Sequence, residues 1–235
     1  FGTSLWFSAN STADALAAAW GIDTAGIGGL TSAVQAGFIT GTLVFSLTAF
    51  ADRHAASRIF AGCALLGALC NCGFALAATG VNSGMVWRFA TGFTLAGVYP
   101  LGMKLVVGWT PQHTGHALGW LVGMLTVGTA LPQLVRGIGA TLDWRLVILA
   151  SSVLAAIAAG LVLRLGDGPH LPRGSPSKLS VGAVLEAFRV PDFRASALGY
   201  FGHMLELYAF WTIVPLLVTA AVAHTRVCWR ATRAW

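Results

Sequence analysis

Seven apolar stretches run along this sequence, each close to the length of a membrane-crossing helix and bounded by glycine, proline or charge. A helix needs about 20 mostly apolar residues, at roughly 1.5 Å each, to cross the core of a bilayer. Only 9% of the residues are charged and 56% are hydrophobic, too little polarity to coat a soluble domain of 235 residues. We therefore expect an all-α polytopic membrane protein. The expected spans cover about 1–19, 27–50, 58–79, 84–108, 116–137, 144–165 and 195–223.

These spans divide the chain into four parts. A six-helix bundle at 1–165 is followed by a central loop at 166–194, which is rich in glycine and proline breakers. The first helix is expected to be truncated, because the chain begins within apolar sequence and without Met. A seventh span at 195–223 would begin a second bundle that the chain lacks. The atypical tail at 224–235 is expected to be foreign or frame-shifted sequence.

The distribution of basic residues predicts the orientation. Lys and Arg collect in and beside the turns that follow the second, fourth and sixth spans, whereas the other side has Arg136 and Arg145 apart from the tail. Because cytoplasmic loops are rich in Lys and Arg, the amino terminus is expected to be cytoplasmic, in a bacterial inner membrane. The net charge of +6 is spread over short clusters and forms no continuous stripe, so nucleic acid is not an expected partner.

A short charged turn separates the second and third spans. It carries Asp52 and Arg53, and Arg58 begins the next span. The turn resembles the Gly-x-x-x-Asp-Arg-x-Gly-Arg-Arg pattern of the major facilitator superfamily, with Ala55 at the inner glycine position. The resemblance extends from 1 to about 223 and implies the amino-terminal half of such a transporter plus its seventh helix. The implied fold is a six-helix bundle of two inverted three-helix repeats.

The resemblance also implies a gating role for Asp52, Arg53 and Arg58. A carboxylate at Asp52 can cap a neighbouring helix start or pair with a cation, and so favour one gating arrangement. Solvated turn charges are the alternative reading.

The fourth span contains Arg88-Phe-Ala-Thr-Gly92, which resembles the Arg-x-x-x-Gly pattern of the same family. A guanidinium inside a span is costly unless it faces protein or water. Arg88 is therefore a candidate for substrate binding or proton coupling, with snorkelling to the outer interface as the alternative. Further along, Pro100 predicts a kink, and Lys104 lies near the inner end of the span.

The fifth span departs from the glycine pattern of exchangers in this superfamily. Pro132 and Gln133 occupy the Gly-Pro position and Arg136 replaces a glycine, which weakens an antiport assignment. Gln133 and Arg136 are candidates to line a cavity, where Arg136 would attract an anionic substrate. Arg136 at the outer membrane surface is the alternative.

Asn10 and Gln35 supply polar groups in the first two spans. Both are candidates for substrate binding, with hydrogen bonding between helices as the alternative. The spacings Gly37-Phe-Ile-Thr-Gly41 and Gly119-Trp-Leu-Val-Gly123 favour close packing of helices, because small residues allow backbones to approach.

His203 and Glu206 lie three residues apart in the seventh span and therefore on one helix face. Glu206 is the best candidate for a proton relay, because burial within a membrane favours exchange of its proton near neutral pH. Two ligands are too few for zinc, and Cys-Asn-Cys at 70–72 is a weak metal pattern, so neither a metal nor another cofactor is expected.

Together these features predict a secondary transporter rather than an enzyme. The expected substrate is a small polar or anionic organic solute, moved by alternating access with protons, in contact with membrane lipid. A drug/proton efflux antiporter and a non-transporting, receptor-like bundle are the alternatives. Transport is expected to need the missing carboxyl-terminal half or a second copy of the chain.

Overall fold

The computed structural model describes residues 1–138, 143–171, 186–207, 209, 210 and 213. The backbone is also described at 52, 129, 133 and 136–138, but their side chains lie outside the described part. Contacts divide the chain into one unit at Phe1–Leu179 and another at Ser180–Trp235, and each is considered by itself.

The first unit consists of helices, and no strand occurs among its described residues. Their bounds are α1 Ala13–Trp20, α2 Thr24–Thr48, α3 Phe50–Arg53, α4 Ala56–Ala77, α5 Val81–Leu95, α6 Tyr99–Trp109, α7 Thr114–Ile138 and α8 Trp144–Leu165. Within the described part, four stretches are long and apolar enough to cross a membrane: Thr24–Thr48, Ala56–Ala77, Val81–Trp109 and Trp144–Leu165. The second to fourth and the sixth predicted spans correspond to these four, and α7 covers the fifth.

The first expected span is not one continuous α-helix. Short 3-10 segments at Gly2–Leu5 and Asn10–Thr12 precede α1. Hydroxyls in this stretch bond to nearby carbonyls: Ser8 to Leu5, Ser11 to Ser8 and Thr12 to Ala9. Such local bonds compete with regular helix, which explains why an apolar stretch of spanning length is irregular here.

The fourth expected span is broken where Pro100 predicts a kink. Residues 96–98 form a turn between α5 and α6, and Pro100 lies in the first turn of α6. Proline has no N–H to donate to the carbonyl four residues earlier, at Ala96, so the α-helical bonding cannot run through this point. The break therefore divides the fourth expected span into two helices, α5 and α6.

Glycines bring α2 and α5 into backbone contact. A Cβ atom at Gly37 would lie 2.0 Å from the carbonyl oxygen of Phe89, and one at Gly92 would lie 1.9 Å from that of Val34. Gly41 is similarly close to the Phe93 carbonyl. The predicted packing role of 37 and 41 is thus confirmed, whereas the glycines at 119 and 123 meet no described atom within 4 Å of such a Cβ.

Two apolar clusters fill the bundle. One contains Leu5, Phe60 and Leu95, and the other contains Leu16 and Phe74. The outer face of α4 is also apolar, with exposed leucines at 65, 66, 69 and 76. An exposed face of this kind is expected where lipid rather than water is the solvent.

The second unit contributes a helix at 191–207 to the described part, beginning four residues before the predicted seventh span. Residues 208, 211, 212 and 214–223 of that span and the tail at 224–235 lie outside the described residues. The division into domains and the inverted repeats remain predictions.

We expect Gly92→Ala to lower the free energy of unfolding by about 1–3 kcal/mol, because the added methyl group cannot fit against the Val34 carbonyl. Thermal unfolding in detergent measures this effect. Gly160→Ala on α8 is the matched control, since a Cβ there meets no described atom within 4 Å. Equal unfolding midpoints for the two variants would contradict the proposed close contact.

Candidate functional site

Arg88 lies at the centre of the first unit and is fully buried. Its Nη1 donates to the Leu5 carbonyl at 3.0 Å, and its Nη2 donates to the Trp6 carbonyl. These acceptors are the last residue of the first 3-10 segment and the residue that follows it, in the irregular first span. The guanidinium therefore points into the bundle and does not snorkel to the membrane surface.

The positive charge of Arg88 has no negative partner in the described part of the chain. No described carboxylate lies within ion-pair distance; the nearest aromatic face is that of Phe74, whose ring centroid is 6.0 Å from the guanidinium carbon. Arg88 Nε and Trp6 Nε1 are both buried without a hydrogen-bond partner among these residues. The site thus has an excess of hydrogen-bond donors and of positive charge.

Asn71 on α4 connects this arginine to the rest of the bundle, and the motif analysis did not single it out. Its Oδ1 accepts from Ser8 Oγ at 2.9 Å and from Arg88 Nη1 at 3.5 Å. Its Nδ2 donates to the Ile148 carbonyl and to Ser152 Oγ, each at 3.0 Å. The sequence did carry one signal for Asn71, because a polar amide within an apolar span indicates an internal contact.

Ser8, Asn71, Arg88 and Ser152 form a polar layer that is joined by hydrogen bonds. This polar layer lies between the two apolar clusters. Along α4, for example, residues of the first cluster precede Asn71 and residues of the second follow it. Asn71, Arg88 and Ser152 each lie six to eight residues from the nearer end of their helix, or on the order of 10 Å at the rise of an α-helix. The layer is therefore inside the expected membrane core.

Asn10 and Gln35 are placed differently from each other. Asn10 Nδ2 donates to Thr31 Oγ1 at 2.8 Å, a hydrogen bond between the first span and α2. Gln35 is half-buried on α2 and makes no hydrogen bond within the described part of the chain. The geometry brings Asn10 into a helix–helix contact and leaves Gln35 available for a ligand.

The remaining candidates are described only in part. Gln133 and Arg136 lie on α7, but their side chains are outside the described residues. In the second unit, His203 Nδ1 lies 4.0 Å from a carboxylate oxygen of Glu206, and the two side chains are 62% and 83% exposed. This places both on one face of their helix, as their spacing requires.

The charged turn between α2 and α4 is fixed by a hydrogen bond from a lysine side chain to one of its backbone carbonyls. Ala49 ends α2 in a left-handed conformation with φ 50°, and Phe50–Arg53 then form α3. Lys104 Nζ on α6 donates to the Ala51 carbonyl at 3.1 Å. Arg53 and Arg58 are exposed, and the side chain of Asp52 lies outside the described residues.

The chain leaving α8 packs at the same end of the unit. Asp167 Oδ1 accepts from the Ser57 N–H at 2.7 Å, which caps the first turn of α4. The His170 N–H donates to the Gly108 carbonyl at 3.2 Å, and a Cβ at Gly168 would lie 2.4 Å from that oxygen. Asp167 was not singled out from the sequence, because its partner is 110 residues away.

The described residues contain no group of three or more His, Cys, Asp or Glu side chains that could hold a metal ion.

A sequence profile described as Major Facilitator Superfamily matches residues 1–226. The chain belongs to this superfamily. The match confirms the family indicated by the charged turn and by Arg88-Phe-Ala-Thr-Gly92, and with it the all-α polytopic membrane fold. It also agrees with the prediction that the chain is not an enzyme, because this is a superfamily of transporters.

Among curated relatives, the chain is similar to the 4-hydroxybenzoate transporter PcaK of Pseudomonas putida. The two are 30% identical over 204 residues, which cover 79% of this chain and 44% of that protein. The chain thus spans less than half the length of the relative that it matches.

We expect Arg88→Lys to lower the free energy of unfolding by about 2–4 kcal/mol. Lysine keeps the buried charge but replaces the planar fork with a single ammonium, which cannot reproduce the bonds to Leu5, Trp6 and Asn71. Thermal unfolding in detergent measures this loss.

The control is Arg164→Lys, an exposed position on α8 where little change is expected. Arg88→Met removes the charge and should cost less than Arg88→Lys, because no charge is then left buried. The interpretation of Arg88 fails if its lysine variant is as stable as the control.

Proposed function

We propose that the full-length protein is a secondary transporter that moves a small anionic or polar organic solute across the membrane by alternating access. The observation that carries this proposal is the fully buried Arg88, which has no described carboxylate partner inside a bundle of the major facilitator superfamily. An uncompensated charge inside a membrane protein is energetically costly, so its presence indicates a functional role.

The use that fits the geometry is attraction of an anion. Because Arg88 is fully buried, this attraction acts from a distance. An anion about 8 Å from a unit positive charge gains roughly 2 kcal/mol at an effective dielectric constant near 20, before its own desolvation is subtracted. Arg88 binds to carbonyls and to Asn71, all of them neutral acceptors, so its charge is not cancelled. A carboxylate-bearing solute is thus favoured over a cation.

The relative supports the same chemical class. The protein from Pseudomonas putida is named as a transporter of 4-hydroxybenzoate, an aromatic carboxylate. In the proposed mechanism the solute binds near the midplane between two bundles, and rocking of one bundle against the other exposes it to each side in turn. A second bundle, or a second copy of this chain, would complete the cavity. Gln35, Gln133 and Arg136 are proposed to contribute polar groups to it.

Glu206 and His203 are the proposed coupling pair. Their 4.0 Å separation is too long for a direct hydrogen bond but allows a proton to pass between carboxylate and imidazole through one water molecule. Exchange of a proton with this pair is proposed to accompany each movement of solute across the membrane. Uptake of the anion together with a proton would then move less net charge than uptake of the anion alone.

The turn with Asp52, Arg53 and Arg58 is proposed to act as the gate. Lys104 on α6 and the Asp167 cap at the start of α4 fix its position. A change in the arrangement of these helices would therefore move the turn. In the proposed orientation this end and the amino terminus face the cytoplasm of a bacterial cell, and lipid surrounds the bundle.

The test is uptake of 4-hydroxybenzoate into proteoliposomes that contain the full-length product of this gene. We expect accumulation that accelerates when the outer solution is more acidic than the interior. Liposomes without protein provide the baseline. Absence of flux for 4-hydroxybenzoate and for a panel of other carboxylates would reject the anion assignment, whereas flux of cationic drugs instead would favour efflux.

In the same assay, Glu206→Gln is expected to abolish the acceleration by the pH gradient, because the amide cannot exchange a proton. Glu186→Gln, which alters the other glutamate of the chain, is the matched control and should leave the acceleration intact. Unchanged proton coupling in Glu206→Gln would remove this residue from the mechanism.

A further inference from the structure

We propose that residues 166–171 form a clasp segment that sets the rate of transport, with Asp167 as its positioning residue. The segment follows α8, caps the start of α4 and is itself anchored on the end of α6. This inference rests on the proposed function, because the part that it positions is the charged turn with Arg53 and Arg58, the proposed gate. Asp167 would act on the gate through α4 and without touching the solute.

The start of α4 takes its cap from a distant part of the chain. The residue before the helix is Ala55, which has no side-chain acceptor, and the first turn contains no acidic residue. The N–H groups of Arg58 and Ile59 donate to the Ala55 carbonyl. The Ser57 N–H instead donates to Asp167 Oδ1 at 2.7 Å, across 110 residues of sequence. This end of α4 is therefore capped only while the clasp segment lies in place.

The clasp segment is held against the end of α6. The His170 N–H donates at 3.2 Å to the Gly108 carbonyl, which is one of the last four carbonyls of that helix. A Cβ atom at Gly168 would lie 2.3 Å from the Gly108 carbonyl carbon and 2.7 Å from the Trp109 nitrogen. A Cβ at Gly108 would in turn lie 2.8 Å from Leu171 Cδ1. Backbone contact this close leaves the segment no room for a side chain at 168 and fixes its position on α6.

The capped residue lies within the charged turn. α3 ends at Arg53 and α4 begins at Ala56, so two residues separate the helices. Ser57 follows in the first turn of α4, directly before Arg58, and both arginines are exposed. Because so short a link absorbs little movement, holding the Ser57 N–H also fixes where the two arginine side chains begin. The clasp segment thus joins the ends of three spans to the proposed gate.

The clasp segment is distant from the polar layer. Ser57 precedes Asn71 by 14 residues on α4, which corresponds to on the order of 20 Å along an α-helix. Solute is proposed to bind near the midplane, where that layer lies. A change at Asp167 is therefore expected to alter the rate of the gating movement and to leave the affinity for solute nearly unchanged.

The experiment compares Asp167→Ala with Asp23→Ala in the full-length protein. Asp23 is a matched control, because its Oδ1 caps the start of α2 by accepting from the Gly26 N–H at 2.9 Å and it is likewise exposed. The 25 residues of α2 separate it from the charged turn. Each substitution removes one aspartate cap and is expected to lower the thermal unfolding midpoint by about 1–4 °C.

Tryptic cleavage after Arg58 reports directly on the first turn of α4, because a protease cuts a helical site while that site is locally open. Loss of a cap changes such an opening equilibrium by a factor of about 2–30. In Asp167→Ala we expect cleavage after Arg58 to accelerate about threefold or more. Cleavage after Arg194, in the first turn of the helix at 191–207, is the internal reference and should not change. Asp23→Ala should alter neither rate.

Transport in proteoliposomes tests the positioning role. Asp167→Ala is expected to lower the maximal rate of 4-hydroxybenzoate uptake about fivefold and to keep KM within about twofold. Asp23→Ala should retain the maximal rate, although it also loses a cap. Gly168→Ala disturbs the same segment in another way, because its methyl group would collide with the α6 backbone, and it should reproduce the pattern of Asp167→Ala. Gly160→Ala, which meets no described atom within 4 Å, is its control.

An unaltered maximal rate in Asp167→Ala, or an equal loss in Asp23→Ala, would overturn the positioning role. Unaltered cleavage after Arg58 in both clasp variants would overturn the cap itself. If Asp167→Ala does not fold, Gly168→Ala decides by the same two criteria. Cleavage and unfolding need no solute, so accelerated cleavage without flux of any carboxylate would reject the proposed function while supporting the cap on α4.

Discussion

A guanidinium group inside an apolar bundle must find acceptors for its hydrogen bonds, and in this protein the solution shapes the first span. Carbonyl oxygens accept from Arg88 at Leu5 and Trp6, at the end of the first 3-10 segment, where carbonyls have no partner within a regular helix. The serine and threonine hydroxyls of this stretch support the irregular backbone. The irregular first span and the buried charge on the fourth therefore depend on each other, and Asn71 fixes both to α4 and α8.

Hydropathy predicted most helices well, because bilayer thickness imposes one length on every span. The sixth expected span coincides with α8, and the third differs from α4 by two residues at each end. Hydropathy could not predict the irregular first span, since that depends on which carbonyls are needed by a residue more than 80 positions away. The break in the fourth span was predictable from Pro100, because the missing N–H of proline interrupts a helix locally, here at residues 96–98.

The candidate site was predictable in its charge but not in its supporting groups. Arg88 could be singled out because a charged residue within an apolar span is costly wherever it points. Asn71 carries no charge and lies between two cysteines, and its importance arises only from four partners on three other segments. Asp167 is similar, since its capping of α4 depends on how the chain turns after α8. Long-range hydrogen bonds of this kind leave no periodic trace in the sequence.

The glycine contact between α2 and α5 has a mechanical consequence. Gly37 lies directly against the carbonyl of Phe89, the residue that follows Arg88. Backbones in such close register cannot slide past each other in small steps, because every intermediate position would drive a side chain into a carbonyl. The two helices are thus expected to move together, so that a displacement of α2 also displaces Arg88.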